Sequence, residues 1–176
     1  MIEDLKLVRP SVDLQVAFLA MAEDFRLAGD DRFQGMHDLL HNHFADFVRR
    51  LHRMAQGLDL KPGWVPQTTF WSIMPSASIV IGMLQLRHQL TPALEKEGGH
   101  IGYSIVPSWR GQGYGTRQLA LGLEKARALG LDRVLITCDT DNIASARVIQ
   151  KNGGQFEDEV ISDYSGKPVS RYWIRL

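Results

Sequence analysis

The chain has 176 residues, enough for one domain with a full core, and no linker-like or low-complexity stretch or internal repeat divides it. Twenty Lys and Arg balance twenty Asp and Glu, so the overall charge favours neither nucleic acid nor an anionic membrane as a partner. The first residues lack the basic and apolar regions of a signal peptide, no apolar run could span a bilayer, and the single cysteine excludes an internal disulfide; the expected setting is the cytoplasm.

A first short strand is expected at residues 5–9, ended by Pro10, after which Ser11 can cap a helix. Leu14, Phe18, Met21 and Phe25 recur at helical spacing, as do Leu40, Phe44, Phe47, Leu51 and Met54, predicting two amphipathic helices. A loop rich in Gly and Pro, residues 57–66, leads to strands at 68–74 and 78–88. A further strand runs through His100 and Tyr103 to Ile105 and Val106, where Pro107 ends it. A helix then carries Leu119, Leu123 and Ala126 on one face, an apolar strand covers 131–138, and a second helix opens near Asp141 or Asn142 and stops at Gly153-Gly154. Residues 155–162 and 169–176 read as a C-terminal hairpin.

The segment between strand and helix, Arg110-Gly111-Gln112-Gly113-Tyr114-Gly115-Thr116, reads as a pyrophosphate cradle. Its glycines allow consecutive N–H groups to turn towards one anion, and the helix behind adds its dipole and unpaired amides. A nucleoside-triphosphate loop would close with Gly-Lys-Ser/Thr, and a dinucleotide fold needs G-x-G-x-x-G. Neither fits, because Gly-Tyr-Gly-Thr closes this loop and position 118 is Gln.

The run Arg-x-x-Gly-x-Gly resembles the acyl-CoA loop of the GNAT superfamily of N-acetyltransferases. The segment from Asn142 through Ser145 to Gly153 is similar to that family's Asn-x-x-Ala/Ser-x-x-Leu-Tyr-x-x-x-Gly pattern. The resemblance implies a single α/β domain over 1–176, with a mixed central sheet of six to seven strands, about four flanking helices, and a splay between the fourth and fifth strands. Residues 99–156 would form the acyl-CoA core, and residues 11–66 would shape the acceptor side. It further implies acetyl-CoA as donor, an amine acceptor, no metal, and direct transfer with both substrates bound. A small-molecule acceptor is expected; a peptide amine, or a non-catalytic acyl-CoA-binding module, is the alternative. Monomer and homodimer both stay open.

By the same resemblance, Ile105 and Val106 would pair with the pantetheine arm through main-chain groups. Arg110 would counter phosphate charge, Asn142 would bond the arm, and Ser145 would meet phosphate or helix backbone. Where many members carry a thiolate-protonating Tyr, this chain has Ile149. Transfer to an amine of pKa about 10.4 requires a deprotonation that costs roughly 4 to 5 kcal/mol at pH 7, so a base or desolvation must help. His100, His88 and Tyr103 are the candidates, with His100 first because its ordinary pKa lies near neutrality and Tyr103 also suited to donating to the oxyanion. Cys138 as a nucleophile and His37, His41 and His43 as metal ligands are the rival readings. No His-Glu-x-x-His motif or cysteine pair supports a metal. His37, His41, Trp64 and Thr68 are candidates for the acceptor wall.

Overall fold

In the computed structural model, which describes residues 2–176, strands β1 (Lys6–Val8), β2 (Gln67–Met74), β3 (Ile79–Arg87) and β4 (Ile101–Ile105) form one antiparallel sheet in that order. Strands β5 (Arg133–Asp139), β6 (Gln155–Ile161) and β7 (Pro168–Arg175) form a second, with β7 between the other two. The helices are α1 (Gln15–Leu27), α2 (His37–Asn42), α3 (Phe44–Ala55), α4 (Pro92–Lys96), α5 (Tyr114–Ala128) and α6 (Ile143–Lys151).

Alternation along β2 and β3 assigns the layers. Trp71 and Ile81 face a core shared with Phe18, Phe25, Phe44 and Phe47 of α1 and α3. Phe70 and Leu84 face a second core with Leu119, Leu123 and Ala126 of α5, because successive strand side chains point to opposite faces. Phe18 is fully buried and lies against Trp71, Phe47 and Phe33 with ring centroids 4.6, 5.3 and 5.4 Å away. Buried Gln118 fixes α5 to the sheet: its Nε2 donates to Ser72 Oγ at 2.7 Å, Met83 O at 3.0 Å and Ser104 O at 3.2 Å.

The two sheets meet just before β4 and part beyond it. His100 N donates to Leu135 O at 2.7 Å, and Leu135 N donates to His100 Nδ1 at 2.9 Å. From there β4 is the edge of its sheet, so the expected splay lies between the fourth and fifth strands. Gly99 permits this approach. Its φ is 59°, and a Cβ there would sit 2.3 Å from Leu135 O. Gly99→Ala is expected to lower stability by about 2–4 kcal/mol, combining left-handed strain with a main-chain collision. Urea unfolding measures it, and an unchanged midpoint would show that the sheets do not close at this residue.

Two local features differ from the expectation. The second expected helix is broken at His43 (φ −130°, ψ 35°) into α2 and α3; Leu40 and Phe44 still enter the same core, so apolar spacing survives a break that it cannot reveal. Helix α4 was not expected, although Thr91 caps it by accepting from Leu94 N at 3.3 Å and Pro92 opens it. The expected C-terminal hairpin is present as β6 and β7, and β7 also bonds along its other edge to β5.

Candidate active site

Pro107 ends β4 and starts a short 3-10 turn over Pro107–Trp109, from which the chain enters the glycine loop. Gly111 (φ 74°) and Gly113 (φ 91°) take left-handed conformations that a β-branched residue adopts only under strain. The first helical bond of α5 is Arg117 N to Gly113 O. Among the described residues, the N–H groups of residues 111–116 have no hydrogen-bond partner, leaving a row of donors at the positive end of a fifteen-residue helix. Arg110 is held beside them, its Nε donating to Ile105 O at 2.9 Å.

Of residues 111–116, Gly111, Gly113, Gly115 and Thr116 line a cleft of about 510 Å³, together with Tyr103, Ser104, Ile105, Arg110, Asn142, Ser145, Arg147 and Lys151 among others. Arg32, Arg110, Arg147 and Lys151 face it, and no carboxylate does so among the described residues. That suits an anion of several charges. Asn142 also caps α6, its Oδ1 accepting from Ser145 N at 3.0 Å.

The wall opposite α6 is the free edge of β4. Arg87 N donates to His100 O and Val106 N to Ile81 O. In an antiparallel ladder this parity turns the main-chain groups of Tyr103 and Ile105 to the open side and those of Val106 to β3. Val106 is buried and does not line the cleft. The strand pairing expected of Ile105 and Val106 therefore moves to Tyr103 and Ile105. Gln112 and Tyr114 also lie off the cleft: Gln112 Nε2 turns back to Ser108 O at 3.3 Å, and Tyr114 packs edge-on against Trp109 at 5.2 Å.

Tyr103 stands at the inner end. Its hydroxyl shares a 2.9 Å hydrogen bond with Ser145 Oγ across the splay. Burial pushes its pKa up to about 12, partly offset by that bond. Tyr103, Ser104 and Arg32 also line a small adjoining chamber with Phe33, Met83, Gln85 and Gly102. Arg32 and Gln85 in turn line a third chamber of about 800 Å³ between α3, the loop carrying Trp64 and Val65, and α4. The three adjoin in series, with Tyr103 where the first two meet.

Neither histidine lines these chambers. His88 Nε2 bonds Thr68 Oγ1 at 2.9 Å. His100 is the clasp between the sheets, its Nδ1 already accepting from Leu135, so the structure does not bring it to the cleft as a base. Burial lowers its pKa, with the Arg87 and Arg133 charges adding to the effect. The unfolded chain then binds a proton near pH 6.5 that folded His100 refuses. Its contribution to stability is complete above that pH and is lost as the pH falls towards the depressed value. Urea midpoints are expected to drop between pH 7 and 5, and His100→Asn, which retains an acceptor near Nδ1, should reduce that slope; an equal slope in the variant would assign it elsewhere.

Ile149 is fully buried in the second core and cannot reach the cleft as its family counterpart would. Cys138 is a half-buried free thiol whose pKa is pushed up, first by burial, which favours the unreactive form. The His37 and His41 rings stack at 4.1 Å; among the described residues no group of three His, Cys, Asp or Glu side chains gathers as a metal site. Of the expected acceptor-wall residues only Trp64 lines a chamber. Sequence reasoning missed Arg147 and Lys151, whose signal was their one-turn spacing on the helix headed by Asn142, and Arg32, which had no local signal.

The acetyltransferase structure of microcin C7 self-immunity, in complex with acetyl-CoA and AMP, superposes with a TM-score of 0.70 at 12% identity, covering 98% of this chain and 92% of that one. The Salmonella typhimurium acetyltransferase that modifies the N-terminal serine of ribosomal protein L7/L12 gives 0.69 at 18%, covering 98% and 95%. Mycobacterium smegmatis RimJ, in complex with a CoA disulfide, gives 0.67 at 21%, covering 97% and 80%. No curated protein sequence matches the chain. At these identities the structures speak for the fold, while the model of the acetyltransferase (GNAT) domain matches residues 9–155: the chain belongs to the GNAT family and is an acyltransferase of the acetyl-CoA-dependent kind.

Proposed function

We propose that the protein transfers an acetyl group from acetyl-CoA directly to the amine of a small-molecule acceptor, the donor lying in the cleft under the glycine loop and the acceptor entering through the chamber beside Trp64. What carries the reading is the series of chambers: unpaired amides with Arg110, Arg147 and Lys151 at one end, Tyr103 in the middle, and a largely apolar chamber at the other. The loop amides and Arg110, Arg147 and Lys151 would hold the phosphates, and the β4 edge would align the pantetheine. When bound, acetyl-CoA supplies the activated acyl group.

Tyr103 stays protonated throughout the physiological range, since a phenol ordinarily titrates near pH 10 and burial raises its pKa further. It therefore serves as a donor, to the carbonyl oxygen or to the departing thiolate, and not as the base. This role replaces the one Ile149 cannot perform. With no histidine at the junction, the amine loses its proton through desolvation and to water. The test is release of free CoA from acetyl-CoA across a panel of small amines and short peptides, with the acetylated product identified. Turnover with small amines is the expected result; acetylation of peptides alone would refute the small-molecule acceptor, and tight CoA binding with no turnover would favour a binding module.

A further inference from the structure

The third chamber has an uneven charge. Arg32, Arg50 and Arg87 line it, and among the described residues no Asp or Glu does. Arg32 is neutralised by Asp30 at 2.5 Å and stacks on the Phe25 ring at 3.9 Å. Arg50 is different. Its neighbour Arg49 is paired with Asp46 at 2.6 Å, but Arg50 makes no ion pair among the described residues and stands exposed on α3. Arg87 is half-buried at the end of β3, with Nη1 donating to Gly98 O and Gly99 O at 2.9 Å each. These are neutral carbonyls, and burial pulls the guanidinium pKa down from its usual value, the mark of a cation without a counter-ion.

Most of the remaining wall is apolar, with Phe47, Leu51, Met54, Val65 and Leu94 beside the neutral polar Gln67, Gln85 and Thr91, and Trp64 48% exposed at the mouth. A site of this size and make-up suits a small organic body with one or two polar handles. Two unneutralised guanidiniums in such a setting raise a positive potential that repels polycations and attracts an anion, for which the guanidinium fork is well shaped. The same potential disfavours the ammonium form of an acceptor's amine, which helps to produce the neutral nucleophile.

Resting on the reading of this chamber as the acceptor side, we propose that the acceptor carries an anionic group, a carboxylate or a phosphate, on an apolar body, with Arg50 and Arg87 as its anion-binding pair and Trp64 as the apolar wall. Charge balance over the whole chain conceals this local preference.

The test is one of binding and does not require turnover. 4-Phenylbutyrate and 2-phenylethyl phosphate are compared with the neutral 4-phenylbutyramide by ligand-observed NMR on the wild-type protein, on Arg50→Gln and on Arg50→Lys. Arg87 is left intact because it braces the Gly98-Gly99 turn. At least one anionic probe is expected to bind about tenfold or more tightly than the amide, with that preference lost in Arg50→Gln and partly kept in Arg50→Lys; the tighter anion identifies the group. Equal binding of acid and amide, no binding of any probe, or a preference that survives Arg50→Gln overturns the proposal. CoA affinity, measured in parallel by calorimetry and expected to be unchanged in Arg50→Gln, reports separately on the donor cleft.

Discussion

Tyr103→Phe is expected to lower kcat by 100-fold or more while leaving CoA affinity within a few-fold of wild type. The substitution keeps the ring that fills the junction and removes only the hydroxyl, together with its bonds to Ser145 Oγ and, at 3.3 Å, to Ser145 O. A 100-fold loss corresponds to about 2.7 kcal/mol of transition-state stabilisation, within the range produced by deleting one donor to a developing oxyanion. A packing role alone would be preserved by Phe and would leave kcat unchanged. The pH profile separates the roles further. Because burial holds the phenol pKa up to about 12, the wild-type rate should show no alkaline limb from Tyr103 below that range. Steady-state kinetics with saturating acetyl-CoA make the measurement, and an unaltered kcat in Tyr103→Phe would transfer proton donation to solvent.

The second large effect is at the loop. Gly113 has φ 91°, and a Cβ there would meet Ile2 Cδ1 at 3.0 Å. Valine at this φ carries a strain of about 1–3 kcal/mol, which the loop can relieve only by turning its amides away from a common anion. Gly113→Val should therefore weaken CoA binding by about 3 kcal/mol, more than 100-fold in Kd. Leu119, Leu123 and Ala126, the residues that anchor α5, are untouched, so the fold should survive. Calorimetry with CoA reads the affinity and thermal unfolding checks the fold; an unchanged Kd in a folded variant would show that the loop is a turn and no more.

The two effects fall on parts of the site that were unequally legible in the sequence. The loop, the helix behind it and the Asn142 cap form one contiguous stretch, where glycine spacing, apolar period and strand pattern agree, and local patterns are what a sequence displays directly. The choice among His100, Tyr103 and Val106 depended on register. Residues 101, 103 and 105 share one parity along β4 and 100, 104 and 106 the other, and only the bonds from Arg87 to His100 and from Val106 to Ile81 decide which set faces the open edge. A single-residue slip would have exchanged their roles. The arginines of the third chamber come from the loop after α1, from α3 and from the end of β3, and nothing local relates them. The break at His43 was hidden for the opposite reason: the apolar period continues across it.

The most direct measurement is a crystal structure of the protein with CoA. The diphosphate is expected on the amides of residues 111–116, the pantetheine along the open edge at Tyr103 and Ile105, and the thiol within hydrogen-bond reach of the Tyr103 hydroxyl. Diphosphate bound away from the glycine loop, or a thiol directed to His88 or His100 instead of Tyr103, would contradict this placement.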